Sequence, residues 1–177
     1  MSIIRPSRAD DVAAIASIYA QHVLGGTGTF EIDPPTTEDM AHRRAEVLAR
    51  GLPYLVAETD ARVVGFAYCN WFKPRPAYRF SAEDSVYVDT SMHRTGIGRA
   101  LLAELLVAAE RAGVRQLIAV IGDSRNAGSI GLHRAVGFSP AGVLNACGWK
   151  FDQWLDVVMM QRSLGPGSSS APSDLRA

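Results

Sequence analysis

One α/β domain over roughly residues 1–164 of 177 is what the sequence predicts, and three observations carry that prediction. Short β-branched and aromatic runs alternate with longer stretches whose apolar residues recur at helical spacing. Apolar residues make up 47% of the chain, enough to fill a core at this length. After Leu164 the composition turns to "GPGSSSAPSDLRA", which has no apolar pattern, so residues 165–177 are expected to form a disordered tail.

The elements follow in order. "SIIRP" reads as a short strand closed by Pro6, with Ser7 as N-cap of a first helix and acids in its first turn. Val12, Ile15, Ile18, Tyr19 and Val23 give that helix one buried stripe. "LGGTGTFEIDPPT" breaks it into a long loop, the kind that often binds something. Thr36 or Thr37 caps a second helix that ends near Gly51. "YLVAET" and "ARVVGFAYCNWF" form a hairpin around Asp60 and Ala61, and the rigid basic loop "KPRPAYR" leads to the strand "AEDSVYV". A helix from about Ile97 to Ala112, with Gly113 after it, precedes the buried strand "QLIAVIG". "NAGSIGLHRAVG" is a short helix that starts near Asn126 and ends at Gly137. Two last strands surround a Gly148-Trp149-Lys150 turn.

Charge excludes some functions. Eighteen basic and eighteen acidic side chains cancel, which leaves no general attraction to nucleic acid or to an acidic membrane. Recognition of a phosphorylated ligand must then be local. The opening "MSIIRPSRADD" lacks a secretory apolar region, and no apolar run reaches the ~18 residues of a membrane span, so a cytoplasmic protein is expected. Cys69 and Cys147 lack CxxC spacing and sit among apolar residues, which predicts buried free thiols and no metal centre.

The local site is "HRTGIGRALL". The first N–H groups of a helix lack internal partners and carry partial positive charge. Gly96 and Gly98 let a ligand approach them, and Arg94 and Arg99 add charge, so this turn is a pyrophosphate cradle on physical grounds. A P-loop would need Gly-Lys-Ser/Thr, which is absent. A dinucleotide fingerprint would need a small residue where Leu101 stands, although Asp123 sits where a ribose-binding acid would. The glycines alone would also suit a plain tight turn.

The His93-x-x-Gly96-x-Gly98 spacing after "SVYV" resembles the coenzyme A motif of the GNAT acetyltransferases. "NAGSIGLHRAVGF" is similar to a later segment of that family. Together with "YRFSAEDSVYV" and "GWKFDQWLDV" it resembles the phosphinothricin and methionine sulfoximine N-acetyltransferase branch over nearly all of residues 2–164. The resemblance implies a mixed, mostly antiparallel sheet of about six or seven strands, about four helices, and two splayed parallel strands. It implies acetyl-CoA as cosubstrate, with main-chain contacts from Val86, Tyr87 and Val88. Arg94, Thr95, Gly96, Ile97, Gly98 and Arg99 would hold the pyrophosphate, and Asn126 would touch the coenzyme, cap its helix, or both.

Direct transfer to an amine with pKa ~8 is helped by a base within hydrogen-bond reach. By resemblance that base is Glu83, which from sequence alone also fits a solvated strand-edge acid beside Asp84. His133 stands where many relatives have tyrosine; it is either a proton donor to the leaving thiolate or a packed helix histidine. On the acceptor side, Lys73, Arg75 and Arg79 are candidates to hold a substrate carboxylate. Phe30, Trp71, Phe72 and Tyr78 wall an apolar slot or pack in the core, with Pro74 stiffening the basic loop and Asp84 and Ser85 following Glu83 on the strand. The expected acceptor is a small amino-acid-like amine. Trp149, Phe151 and Trp154 near the chain's end, in a branch commonly dimeric, point to a homodimer. A peptide N-acetyltransferase and a non-catalytic acyl-CoA sensor stay open as alternatives.

Overall fold

Strands β1 (Ile3–Pro6), β2 (Tyr54–Thr59), β3 (Arg62–Trp71), β4 (Ser81–Val88), β5 (Gln116–Gly122), β6 (Ser139–Lys150) and β7 (Gln153–Ser163) form one sheet in a computed structural model that describes residues 2–172. Its order is β1-β2-β3-β4-β5-β7-β6, antiparallel throughout except for β4 beside β5. Four α-helices flank it: α1 (Val12–Gly25), α2 (Thr37–Ala49), α3 (Ile97–Arg111) and α4 (Ala127–Ala135). This is the mixed fold of seven strands and four helices that the sequence leads one to expect.

Alternation along the strands assigns each helix to a face. Tyr87 meets Tyr19 of α1, while the next position across, Gly65, lies under Leu101 of α3. Between sheet and helices, Phe66, Leu101, Leu102, Leu105, Leu117 and Met160 are fully buried. Thr36 caps α2 through a reciprocal pair with Asp39, as its sequence signals: Asp39 N–H donates to Thr36 Oγ1 at 3.1 Å, and Thr36 N–H donates to Asp39 Oδ2 at 3.0 Å. The β2–β3 turn places Asp60 and Ala61 at φ +49° and +58°, which matches the right-handed twist of the flanking strands.

Three local expectations meet a different outcome. Ser7 is not the N-cap: a 3₁₀ turn at Ala9–Asp11 precedes α1, Arg8 N–H donates to Asp11 Oδ2 at 2.6 Å, and the Ser7 hydroxyl accepts from Arg44 Nε at 2.8 Å. The last hairpin turns at Phe151 and Asp152, both left-handed, because Trp149 pairs with Trp154 and Lys150 with Gln153. Cys69 is buried, but Cys147 is exposed, since it lies on the edge strand β6 at an irregularity between Leu144 and Gly148. Beyond β7, residues 165–170 form turns. Gly167 N–H donates to Leu164 O at 2.9 Å, and the Arg115 guanidinium donates to Ser170 O at 3.2 Å. Residues 173–177 of the expected tail lie outside the described residues.

Candidate active site

The site begins where strand pairing stops. β4 and β5 pair from Ser81–Gln116 to Asp84–Ala119 and no further. Beyond that point β4 stays with β3 as far as Val88–Gly65, and β5 stays with β7 as far as Gly122–Val157. The two halves of the sheet part, and the wedge between them opens into a cleft of about 920 Å³. Ser85 to Val88 line it with backbone that β5 does not pair.

At the far end of β4 the chain makes a 3₁₀ turn at Thr90–Met92 and enters α3 through Gly96. Gly96 has φ +88°, left-handed backbone that any larger residue would hold under strain. A Cβ there would meet nothing within 4 Å, so the space over the first turn of α3 is open. Arg94, Gly96, Ile97, Gly98 and Arg99 line the cleft around the α3 N-terminus. Thr95 turns away, its hydroxyl donating to Met92 O at 2.6 Å. The fit to a pyrophosphate is good: unpaired N–H groups, two arginines and no side chain in the way.

One anchor escaped the sequence reading. His22, near the end of α1, donates from Nε2 to Val88 O at 2.8 Å, and His93 Nε2 faces the same carbonyl at 3.2 Å. Burial holds the His22 pKa below its ordinary value, which keeps the neutral ring. Of the three expected main-chain contacts on β4, the Val88 carbonyl is therefore already engaged within the protein. The signal was the helical spacing, since His22 follows Tyr19 by three residues on the buried stripe.

Glu83 and Asp84 face opposite sides of the sheet. Glu83 lies across from Asn70 and shares its face with Ser85, Tyr68 and Tyr87. It is half-buried, and burial pushes its pKa up, helped by the charge of Asp84 and opposed by Lys73. Asp84 is buried on the α4 side, where its Oδ2 accepts from His133 Nε2 at 2.9 Å and its Oδ1 has no partner. His133 Nδ1 donates to Ser129 O at 2.8 Å. Both ring nitrogens thus point at acceptors. Burial would lower the His133 pKa, yet the Asp84 hydrogen bond and charge outweigh it and leave the pKa raised. Asn126 caps α4, accepting from Ser129 N–H at 3.1 Å, and also lines the cleft.

The loop after α1 supplies the opposite wall, from Gly26 to Phe30. The hydroxyls of Tyr19 and Thr29 meet at 2.9 Å. Phe30, Glu83 and Ser85 line the cleft together, Asp84 borders it from the opposite face of the sheet beside His133, and Phe72, Lys73, Pro74, Arg75 and Arg79 lie outside the cleft wall. They sit on the segment leading into β4. There Lys73 Nζ lies 5.0 Å from the Phe72 ring, Phe72 meets Tyr78 edge-on at 5.8 Å, and the Arg79 guanidinium lies 4.6 Å from the Phe80 ring. Trp71 is exposed against Arg50, so it is not a core aromatic. Among the described residues no cluster of His, Cys, Asp and Glu could hold a metal, and no helix is long and apolar enough to cross a membrane.

A family model described as the acetyltransferase (GNAT) family matches residues 13–138. The chain belongs to that family and is an N-acetyltransferase by membership. It is 50% identical over 169 residues to a phosphinothricin N-acetyltransferase of Alcaligenes faecalis, covering 96% of this chain and 86% of that protein. It is 38% identical over 173 residues to an L-methionine sulfoximine/L-methionine sulfone acetyltransferase of Pseudomonas paraeruginosa, covering 96% and 98% of the two. Among solved structures, a phosphinothricin acetyltransferase from Sinorhizobium meliloti in complex with acetyl-CoA superposes with a TM-score of 0.95 at 41% identity, covering 98% and 94% of the chains.

Proposed function

We propose that this chain moves the acetyl group of acetyl-CoA onto the amine of a small amino-acid-like acceptor, of the phosphinothricin, methionine sulfoximine or methionine sulfone kind. One observation carries the reading: a half-buried glutamate stands at the apex of a splayed strand pair whose other end is an anion cradle. The relatives' names supply the acceptor class.

In this reading Val86 and Tyr87 offer backbone groups to the pantetheine arm, Arg94 to Arg99 hold the pyrophosphate, and Asn126 closes the cleft beside them. The thioester supplies the acyl group and a thiolate that leaves with pKa ~8.5. Glu83 takes a proton from the acceptor ammonium, directly or through one water, and the freed amine attacks the acetyl carbon. Its raised pKa narrows the gap to the amine and makes it a better base than an ordinary carboxylate. The carbon–sulfur bond breaks, the attacking nitrogen releases its second proton to solvent as the amide forms, and the thiolate collects a proton from solvent. His133 has both nitrogens engaged, so it positions Asp84 and the base of the splay and is not a free donor. Of the basic residues before β4, Lys73 is the one placed to meet the acceptor carboxylate from the rim, since its charge reaches Glu83 and lowers that pKa.

A homodimer formed through the outer face of β6 and β7 suits the exposed Val143, Leu144, Trp149, Phe151 and Trp154. A cytoplasmic location suits a free buried thiol at Cys69.

The test is thiol release from acetyl-CoA against phosphinothricin, methionine sulfoximine, methionine sulfone, common amino acids, polyamines and a peptide N-terminus. Turnover confined to the first three supports the proposal. Turnover of the peptide alone overturns it.

A further inference from the structure

We infer that Lys150, at the far end of β6, is a positioning residue that holds the acceptor-side wall of the cleft in place. The inference rests on the acceptor-side reading of the loop after α1 given above. Lys150 is the last residue of a strand that is otherwise almost wholly exposed, yet it is itself only 4% exposed. A buried ammonium persists where hydrogen bonds replace its water. Here they come from one loop: Lys150 Nζ donates to Gly26 O at 2.9 Å and to Thr29 O at 2.9 Å. Those two carbonyls belong to irregular backbone with no helix or strand to satisfy them. The loop is wrapped around the ammonium.

Three neighbouring features fix the same segment. The Phe30 ring enters a slot that exists because β5 and β6 carry glycine there: a Cβ on Gly148 would stand 2.3 Å from the ring, and one on Gly122 would stand 2.9 Å from it. Gly122 also admits the Thr27 carbonyl, which would lie 2.3 Å from a Cβ. The Thr27 hydroxyl donates to Asp123 Oδ2 at 3.0 Å. Of these contacts only Lys150 supplies a positive charge, and it alone ties Gly26 to Thr29 across the wall-forming stretch. The pyrophosphate cradle at α3 shares none of its partners. Lys150 therefore acts on acceptor geometry and leaves the coenzyme cradle alone.

The test uses the full chain with Lys150→Met, which keeps the length and removes the donors, and Lys150→Arg, which keeps donors. Amide hydrogen exchange over residues 25–31 of the free protein should quicken about tenfold or more in Lys150→Met, as expected for losing charge-assisted hydrogen bonds. The acceptor KM should rise about tenfold, with kcat and acetyl-CoA affinity within about twofold of wild type, and Lys150→Arg should recover part of both changes. Unchanged loop exchange in a folded Lys150→Met protein overturns the inference. So does a fall in acetyl-CoA affinity that matches the rise in acceptor KM, because that pattern marks a general structural role. If Lys150→Met does not fold, Lys150→Gln, which keeps a shorter donor, is read by the same criteria. The exchange experiment needs no substrate: it decides the role of Lys150 even where wild-type turnover refutes the acceptor class.

Discussion

Glu83 and Asp84 are adjacent acids placed by strand alternation in two different chemistries. Replacing Glu83 by Gln should lower kcat/KM by about 10²–10⁴ while leaving acetyl-CoA affinity intact, measurable by thiol release and by direct titration. The same change should raise Tm by about a degree or two at neutral pH. A carboxyl whose pKa is raised on folding adds stability only below its unfolded value near 4.5, and loses it as pH rises through the folded value. By the same token, kcat/KM should climb with pH through a step above 4.5 that Glu83→Gln removes. Asp84→Asn should do the reverse: it leaves the His133 imidazolium buried without its counter-charge and should cost about 3 kcal/mol by denaturant unfolding. The His133 pKa is raised, so the pair's contribution is whole below 6.5 and fades as pH rises past the folded value.

At the level of elements, the turn from β4 into α3 joins the backbone of a strand to the head of a helix. Gly96→Val should abolish coenzyme binding in a calorimetric titration and, through its left-handed φ, should also cost about 1–2 kcal/mol of stability. This element was legible because its chemistry is local: two glycines, two arginines and a helix start lie within a few residues. Asn126 as a cap and the Asp60–Ala61 hairpin were legible for the same reason. The splay itself follows from no local rule; only the resemblance of the "SVYV" strand to its family counterparts announced it. Lys150 looked like part of a turn because the glycine beside it signalled one, whereas Gly148 exists to admit the Phe30 ring from a loop more than a hundred residues earlier. Phe72, Lys73, Pro74, Arg75 and Arg79 were grouped with the pocket by composition. Their loop enters β4 on the near side of Glu83, and composition does not encode on which side of a strand end a loop folds.

Across the whole molecule, one edge of the sheet is β6, twelve residues long and exposed over nearly all of them, with Val143, Leu144 and Trp149 in the open. Trp154 is 64% exposed, and Trp154→Lys should convert a dimer to a monomer in sedimentation velocity if the proposed assembly is right. Deleting residues 165–177 should leave cooperative unfolding in place, with Tm lower by about 3 °C or less, because the described part of that segment adds few contacts beyond Gly167 and Ser170. The parted strands also bear on how the protein withstands heat. A sheet interrupted at its middle is an unfinished ladder, and an extended amide-bearing molecule lying in the gap would serve as a temporary rung between its halves. The resistance of the chain to unfolding should then follow the supply of coenzyme, acetylated or free, rising by about 2.7 kcal/mol when the ligand exceeds its dissociation constant a hundredfold. A chain stripped of coenzyme would be this protein in its most fragile form.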